Sequence, residues 1–466
     1  MTYTDLSSGV YILKEFLSDL FEKEGMVMVA GHPGTGKTLL ASTVCYEKAR
    51  NGHRCLYVSL QEDKEKLYLH LSNVGIDFNE VEKKGLLKHI RIPVFSEEEV
   101  VPDFIETISR CIAEFKPNIL VVDSVTPVLD AVGSDVRARA YLQNFFYEVA
   151  RVFKGVVILV AEIPIGDERV GAGGVEFVAD AILVMKQRVE KGLLTRSMEV
   201  RKVRGAPLTV AEIPYSIQPK KGLLFIPPYR LGEVKETLNN LTIPCDGLRQ
   251  VLRDLWITDH IYYEYPAEYR ALTPALLIPL IWIANELKVL LISYRYPEDV
   301  LLKLLSTRLA EAGAQDEVVR WVMEKLAFKS INPFMYSLVE LNALENSLVD
   351  QVKPSMVVFH GVEVLMNSEP NVDKYFTLLY NQSLLMKRLG VSMTRFSSFV
   401  NEEYSRISTA VADIVIKVRC GELCIDHQAY VWRRFGEPMV LKPHQLETCL
   451  KQVLEYLNSR IVKSAK

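Results

Sequence analysis

Residues 26–50, MVMVAGHPGTGKTLLASTVCYEKAR, restrict the possible folds more than any other stretch. The apolar run 26–30, rich in valine and methionine, predicts a short buried strand. It leads into Gly31-His32-Pro33-Gly34-Thr35-Gly36-Lys37-Thr38, which fits GxxxxGK[ST]. Leu39, Leu40, Thr43 and Val44 then fall on the inward face of a helix, and Gly52 supplies its stop. The residue types follow from the chemistry. Glycines let successive backbone N–H groups turn inward around phosphate oxygens, and the helix N-terminus adds partial positive charge. Lys37 is expected to reach the β- and γ-phosphates, and the Thr38 hydroxyl to ligate Mg²⁺. A strand before and a helix after distinguish this stretch from a glycine-rich turn that binds nothing. It predicts a pocket for a nucleoside triphosphate, with ATP and Mg²⁺ as the expected ligands.

The chain has 466 residues, which suggests two domains of about 200 residues each. Its 49% hydrophobic and 24% charged residues suit a globular protein with large cores. A net charge of −3 argues against a generally basic nucleic-acid binder, while leaving a local patch open. Cys45, Cys55, Cys111, Cys245, Cys420, Cys424 and Cys449 are odd in number and scattered, which predicts a reducing compartment rather than a disulfide framework. The first residues, MTYTDLSSGVYILKEF, lack the basic start and apolar core of a signal peptide. The apolar run 271–284 carries Pro274 and Pro279, is too short for a bilayer, and reads as a buried helix. No membrane span and a cytoplasmic location are expected.

In chain order, residues 5–25 have an amphipathic helical pattern. Residues 55–60 read as a second buried strand with Gln61, Glu62 and Asp63 at its carboxyl end, 87–93 as a short third strand, and 102–115 as a helix. The run 118–124, NILVVDS, is an apolar strand ending in an acid. That is the Walker B arrangement, with Asp123 holding the Mg²⁺ water shell. A helix over 138–153 and a strand over 155–161 follow, ending at Glu162. The loop 165–174 is rich in glycine and suited to a mobile contact. Strands over 181–185 and 197–202 precede Arg204-Gly205. Alternating strands and helices specify an α/β fold, a mostly parallel sheet flanked by helices with nucleotide at the strands' carboxyl ends.

GHPGTGKT, the strand-end QED, VVDSVTPVL, VEFVADAILVM and RKVRGAP together resemble the KaiC-like branch of the RecA superfamily of ATPases, over about residues 8–227. The resemblance implies a homo-oligomer, in the family commonly a hexameric ring, with ATP between neighbouring subunits. It also implies that Lys202 and Arg204 are the family's K-x-R pair, reaching the γ-phosphate on the next subunit. An arginine supplied in trans would stabilise charge on the transferred phosphoryl group. The family usually carries two glutamates at the end of the second strand, one acting as base on the attacking water. Here the pair is Gln61-Glu62. Glutamine can orient water but cannot take its proton. Hydrolysis is therefore expected to be slow if the first position is the base and ordinary if Glu62 serves, with Glu162 a weaker candidate.

Residues 226–232, IPPYRLG, read as a linker, giving domains over 1–228 and 229–466. Beyond it the pattern starts again. Residues 287–299 echo the second strand, 353–362 echo 116–125, 411–417 echo 178–184, and 436–438 fall where 205–207 would. The functional positions do not survive. Tyr265-Pro266-Ala267-Glu268-Tyr269-Arg270 stands in the P-loop position, Arg270 near the Lys37 place, and His360 in the Asp123 place. Two RecA-like P-loop NTPase folds are expected, the second degenerate. Cys420-x3-Cys424-x2-His427 is faintly metal-like, though a thiol-bearing hairpin explains it better. The stretch 430–435 could be a partner contact or a half-buried strand, and 446–462 reads as a packing helix.

The leading expectation is a regulatory or signalling ATPase in which nucleotide state alters an oligomer and an unknown protein partner. A recombinase-like, DNA-dependent ATPase is an alternative. Against it, the 165–174 loop carries Arg169 offset by Asp167 and Glu168, too little charge to track a backbone. A non-catalytic nucleotide-sensing scaffold is a third reading, favoured by Gln61 and the decayed repeat. An autokinase role carried by the second repeat is disfavoured by its missing P-loop.

Overall fold

Parallel strands buried on both faces read as continuous apolar runs, because neither side can face water. A computed structural model of the protein shows this arrangement, describing residues 20–21, 24–93, 100–132, 136–166, 175–205, 210–228, 241–252, 255–269, 273–368, 371–421, 427–434 and 436–464. The expected helix over 5–25 falls almost wholly outside these residues. The chain divides into two compact units, Met1–Pro227 and Pro228–Lys466.

The first unit holds strands β1 (Gly25–Gly31), β2 (Cys55–Ser59), β3 (Leu87–Arg91), β4 (Ile119–Asp123), β5 (Val156–Glu162), β6 (Ala181–Glu190), β7 (Leu193–Val203), β8 (Glu212–Gln218) and β9 (Gly222–Phe225). They form one sheet in the order β3-β2-β4-β5-β1-β6-β7-β8-β9. Val27, Val29, Tyr57, Val121 and Ile158 face one core, while Met26, Met28, Leu56, Val58, Leu120 and Leu159 face the other. This is the period-two alternation of a strand with both faces covered. β6 and β7 run well beyond the expected 181–185 and 197–202, as an antiparallel ribbon. Lys191 and Gly192, both at positive φ, make its turn. Its outer half carries charged, exposed side chains, so burial-based reading stops short.

The second unit holds β10 (His260–Tyr265), β11 (Val289–Ser293), β12 (Leu326–Ser330), β13 (Met356–His360), β14 (Ser392–Ser398), β15 (Ile414–Cys420), β16 (His427–Arg433) and β17 (Met439–Leu441). Their order is β12-β11-β13-β14-β10-β15-β16-β17. Setting β10 on β1 reproduces the first sheet strand for strand through β8. Backbone contacts repeat too. Asp180 N donates to Met26 O at 2.8 Å, and Arg204 N to Asp180 O at 2.8 Å. In the second unit Asp413 N donates to His260 O at 2.8 Å, and Arg434 N to Asp413 O at 2.8 Å. The Asp180 and Asp413 carboxylates accept from Met26 N (2.9 Å) and His260 N (3.0 Å). Both units are therefore RecA-like α/β folds, as the internal echoes suggested.

The apolar run 271–284 is a helix over Thr273–Ala284, continuing through Pro279 and buried at Ile281, Trp282 and Ile283. No helix among the described residues is long and apolar enough to cross a membrane. The cysteine expectation needs correction. Cys245 and Cys449, 204 residues apart, are joined as a disulfide with a Cα–Cα separation of 5.0 Å, and Cys420 is disulfide-bonded as well. Scattered spacing conceals such a pair, because packing of the Pro443–Ser464 helix on the Asp246–Val251 helix creates the proximity. Cys424 lies outside the described residues, and no cluster able to hold a metal is formed among those described.

Candidate nucleotide site

β1 ends at Gly31 and the helix Lys37–Arg50 begins six residues later, so residues 31–36 must reverse direction tightly. A Cβ on Gly31 would lie 2.3 Å from Met185 O, which explains glycine there. Gly34 (φ 79°) and Gly36 (φ 92°) take up left-handed backbone, open to glycine at little cost. Side chains brace the loop from outside. Thr35 Oγ1 donates to His32 O at 2.8 Å, His32 Nδ1 lies 3.0 Å from Ile163 O, Gln187 Nε2 reaches Pro33 O at 3.4 Å, and the buried Tyr215 hydroxyl donates to Thr35 O. Lys37 Nζ donates to His32 O at 3.0 Å, curling over its own loop.

A cleft of about 430 Å³ opens here, lined by Pro33, Gly34, Gly36, Lys37, Thr38, Ser59, Gln61, Glu62, Asp123 and Glu162. The carboxyl ends of β1, β2, β4 and β5 thus converge on one space. Leu67, Leu71 and Val74, from the helix Lys64–Asn73 and its end, form its apolar wall. Burial lowers the Lys37 pKa, with Glu162 and Asp123 opposing. Burial raises that of Asp123, opposed by hydrogen bonds from Tyr57 and Thr38 and by Lys37. Glu62 Oε1 lies 3.7 Å from Lys66 Nζ and 3.8 Å from His70 Nδ1. Ser59 Oγ donates to Glu62 O at 2.7 Å and accepts from Glu62 N at 3.1 Å, fixing the backbone there.

Three carboxylates and one lysine share the cleft, so added positive charge would strengthen the hold on a triphosphate. Thr38 hydroxyl and Asp123 carboxylate are hard oxygen donors already hydrogen-bonded to each other, a set suited to Mg²⁺ with its water shell.

Lys202 and Arg204 are not part of this cleft. Lys202 pairs with Ile182 and Val203 with Ala181, and Ala181 pairs with Val27, whereas Met185 pairs with Gly31. The basic pair therefore sits at the amino end of the parallel strands, about 13 Å along β1 from the loop. Lys202 Nζ donates to Phe177 O at 3.0 Å, and Arg204 to Phe177 O at 2.9 Å and Asp180 Oδ1 at 3.4 Å. Residues 167–174 of the glycine-rich loop lie outside the described residues.

Sequence reasoning passed over Tyr57, Ser59, Thr126 and Tyr215. Thr126 Oγ1 accepts from Glu162 N at 2.8 Å. Their common signal is a polar atom inside an apolar run.

In the second unit, ionic and aromatic side chains fill the corresponding space. By strand register Tyr265 replaces Gly31, Arg295 replaces Gln61, His360 replaces Asp123 and Glu363 replaces Thr126. Arg295 Nη1 pairs with Glu363 Oε1 at 3.2 Å, and Glu363 Oε2 accepts from Ser398 N at 3.1 Å. The His360 ring stacks on Tyr296 at 5.7 Å and its Nδ1 lies 3.3 Å from Ser293 Oγ. Burial and Arg295 lower the His360 pKa to about 4. Arg270 falls outside the described residues.

The family model "ATPase: KaiC" matches residues 6–230. The first unit is thus similar to the KaiC family of ATPases. Relatives described as "Circadian clock oscillator protein KaiC" include one from Prochlorococcus marinus (strain MIT 9313), 29% identical over 201 residues, covering 43% of this chain and 40% of that protein. The Picosynechococcus sp. (strain ATCC 27264 / PCC 7002 / PR-6) protein is 28% identical over 43% of this chain and 39% of its own length. The Thermostichus vulcanus protein is 27% identical over 43% and 38%. The chain thus spans about two fifths of the length of these relatives.

Proposed function

We propose that the chain is a regulatory ATPase that binds Mg²⁺–ATP in the first unit and acts through nucleotide-dependent self-assembly. In this reading the 31–38 loop cradles the phosphates, Lys37 neutralises the β- and γ-phosphates, and Thr38 and Asp123 would hold Mg²⁺, which would supply further positive charge to the phosphate oxygens. Gln61 orients the attacking water. Glu62, engaged by Lys66 and His70, takes its proton slowly, which fits a switch better than a motor.

The observation that carries assembly is the place of Lys202 and Arg204. About 13 Å of strand separates them from their own loop, so a role at the γ-phosphate requires a neighbouring copy. Likeness to relatives described as circadian clock oscillator proteins supports a regulatory role, and the timing role itself is not carried over. The second unit, its cleft filled, serves in this proposal as packing or docking surface.

The test mixes two inactive variants. Lys37→Ala and Arg204→Ala should each lose ATP turnover, Arg204→Ala by about 10³-fold. Mixed in equal amounts they should regain part of it, because some interfaces join an intact Lys37 to an intact Arg204. No recovery, with assemblies shown to exchange subunits, would refute completion in trans.

A further inference from the structure

Asp123 is held from behind by a side chain that the phosphate chemistry does not call for. The Tyr57 hydroxyl donates to Asp123 Oδ2 at 2.6 Å, and Ser42 Oγ donates to the same hydroxyl at 3.3 Å. Tyr57 lies one strand over on β2, where Tyr57 pairs with Val121 and Ser59 with Asp123. Its ring is fully buried, edge-on to Phe78 at 5.7 Å and stacked with His89 at 5.9 Å. Ser42, on the helix Lys37–Arg50, is also fully buried. The chain Ser42 to Tyr57 to Asp123 thus links the helix that starts at the loop 31–36 to a carboxylate that lines the cleft.

A carboxylate that accepts one short hydrogen bond in a packed interior loses rotational freedom, and its remaining lone pairs point in a fixed direction. We propose that Tyr57 is a positioning residue for the divalent cation, orienting Asp123 so that the nucleotide is bound as its Mg²⁺ complex. This rests on the reading of the cleft as an Mg²⁺–ATP site. Tyr57 touches neither nucleotide nor metal in this account. Its hydroxyl sets how much affinity the metal adds.

The experiment titrates full-length wild type, Tyr57→Phe and Tyr46→Phe with a fluorescent ATP analogue, in EDTA and over a Mg²⁺ series. Tyr46 donates to Glu80 Oε2 at 3.1 Å, remote from the metal, and serves as control. Phenylalanine keeps the ring packed, and thermal melts check the fold. Loss of a partner hydrogen-bonded to a metal ligand typically costs 10- to 100-fold in metal affinity. Tyr57→Phe should therefore need about tenfold more Mg²⁺ for half its affinity gain, with binding in EDTA unchanged. Ser42→Ala should shift the same midpoint less, and Tyr46→Phe not at all.

An unchanged Mg²⁺ midpoint in Tyr57→Phe overturns the proposal. So does equal weakening in EDTA and in Mg²⁺, which would mean a structural role only. If wild type takes up no analogue with or without Mg²⁺, the nucleotide reading of the cleft fails instead, which is a separate result.

Discussion

Glu345 in the second unit gives a pH-dependent stability with a predictable sign. It is 3% exposed. One carboxylate oxygen accepts from the Tyr294 hydroxyl and the other from Gln382 Nε2 at 2.6 Å. Burial dominates and raises its pKa to about 7 from an ordinary 4.5, with the hydrogen bonds and Arg395 only partly offsetting it. A folded-state pKa above the unfolded value means that the native state holds the proton longer. The stabilisation is complete below about pH 4.5 and is lost as pH rises through about 7. Between pH 6 and 8 this one group should cost roughly 1.4 kcal/mol, a tenfold change in the folded-to-unfolded ratio. Other buried groups of this unit titrate lower. Asp259 is raised to about 6 by burial despite Arg433, and His360 is lowered to about 4 by burial. His360 and His260, whose pKa values burial lowers from the ordinary 6.5, oppose this loss between about pH 6 and 7, so comparison with a variant is what isolates Glu345. Trp256, Trp282, Trp321 and Trp432 are the chain's four tryptophans, and all lie in the second unit. Urea unfolding followed by tryptophan emission therefore reports on this unit. Glu345→Gln, which cannot ionise, should lack this component of the slope, so that its stability relative to wild type rises by about 1.4 kcal/mol from pH 6 to 8. A wild-type-minus-variant difference that stays flat across that range would refute the reasoning.

Three further outcomes follow, two from the first unit and one from the second. Gln61→Glu places a proton acceptor just beyond β2 and should raise ATP turnover about 10²-fold; steady-state phosphate release reads this, and no change would show that Glu62 or Glu162 is already an effective base, against the slow transfer proposed above. Gly31→Ala drives a methyl group into Met185 O, 2.3 Å away. It should destabilise the first unit by about 2 kcal/mol and weaken uptake of the ATP analogue, read by far-ultraviolet circular dichroism and titration. Arg295→Ala leaves Glu363, with a side chain 10% exposed, short of its ion-pair partner in the filled cleft. It should lower second-unit stability by about 2 kcal/mol without creating analogue binding.

Much of this was legible in the chain. The strands β1, β2, β4 and β5 are fully buried apolar runs, and their polar ends, Gly31, Ser59-Gln61-Glu62, Asp123 and Glu162, converge on one cleft. The repeat could be read because β13 and β15 keep the apolar pattern of β4 and β6 after the functional residues have changed. Other features depend on tertiary structure. Tyr57 looks like one more apolar strand residue until β4 sets Asp123 beside it. Arg295 and Glu363 are 68 residues apart and become a pair only through the β11–β13 register. The Cys245–Cys449 bond depends on helix packing across 204 residues. The outer half of the β6–β7 ribbon has exposed charges and no burial pattern to read.

The central claim is one working triphosphate pocket per chain, in the first unit. Its most direct test is the binding stoichiometry of a fluorescent ATP analogue with Mg²⁺, for wild type beside Lys37→Ala. One equivalent per chain is expected for wild type and no saturable uptake for the variant. Two equivalents per chain, or uptake unaltered by loss of Lys37, would contradict it.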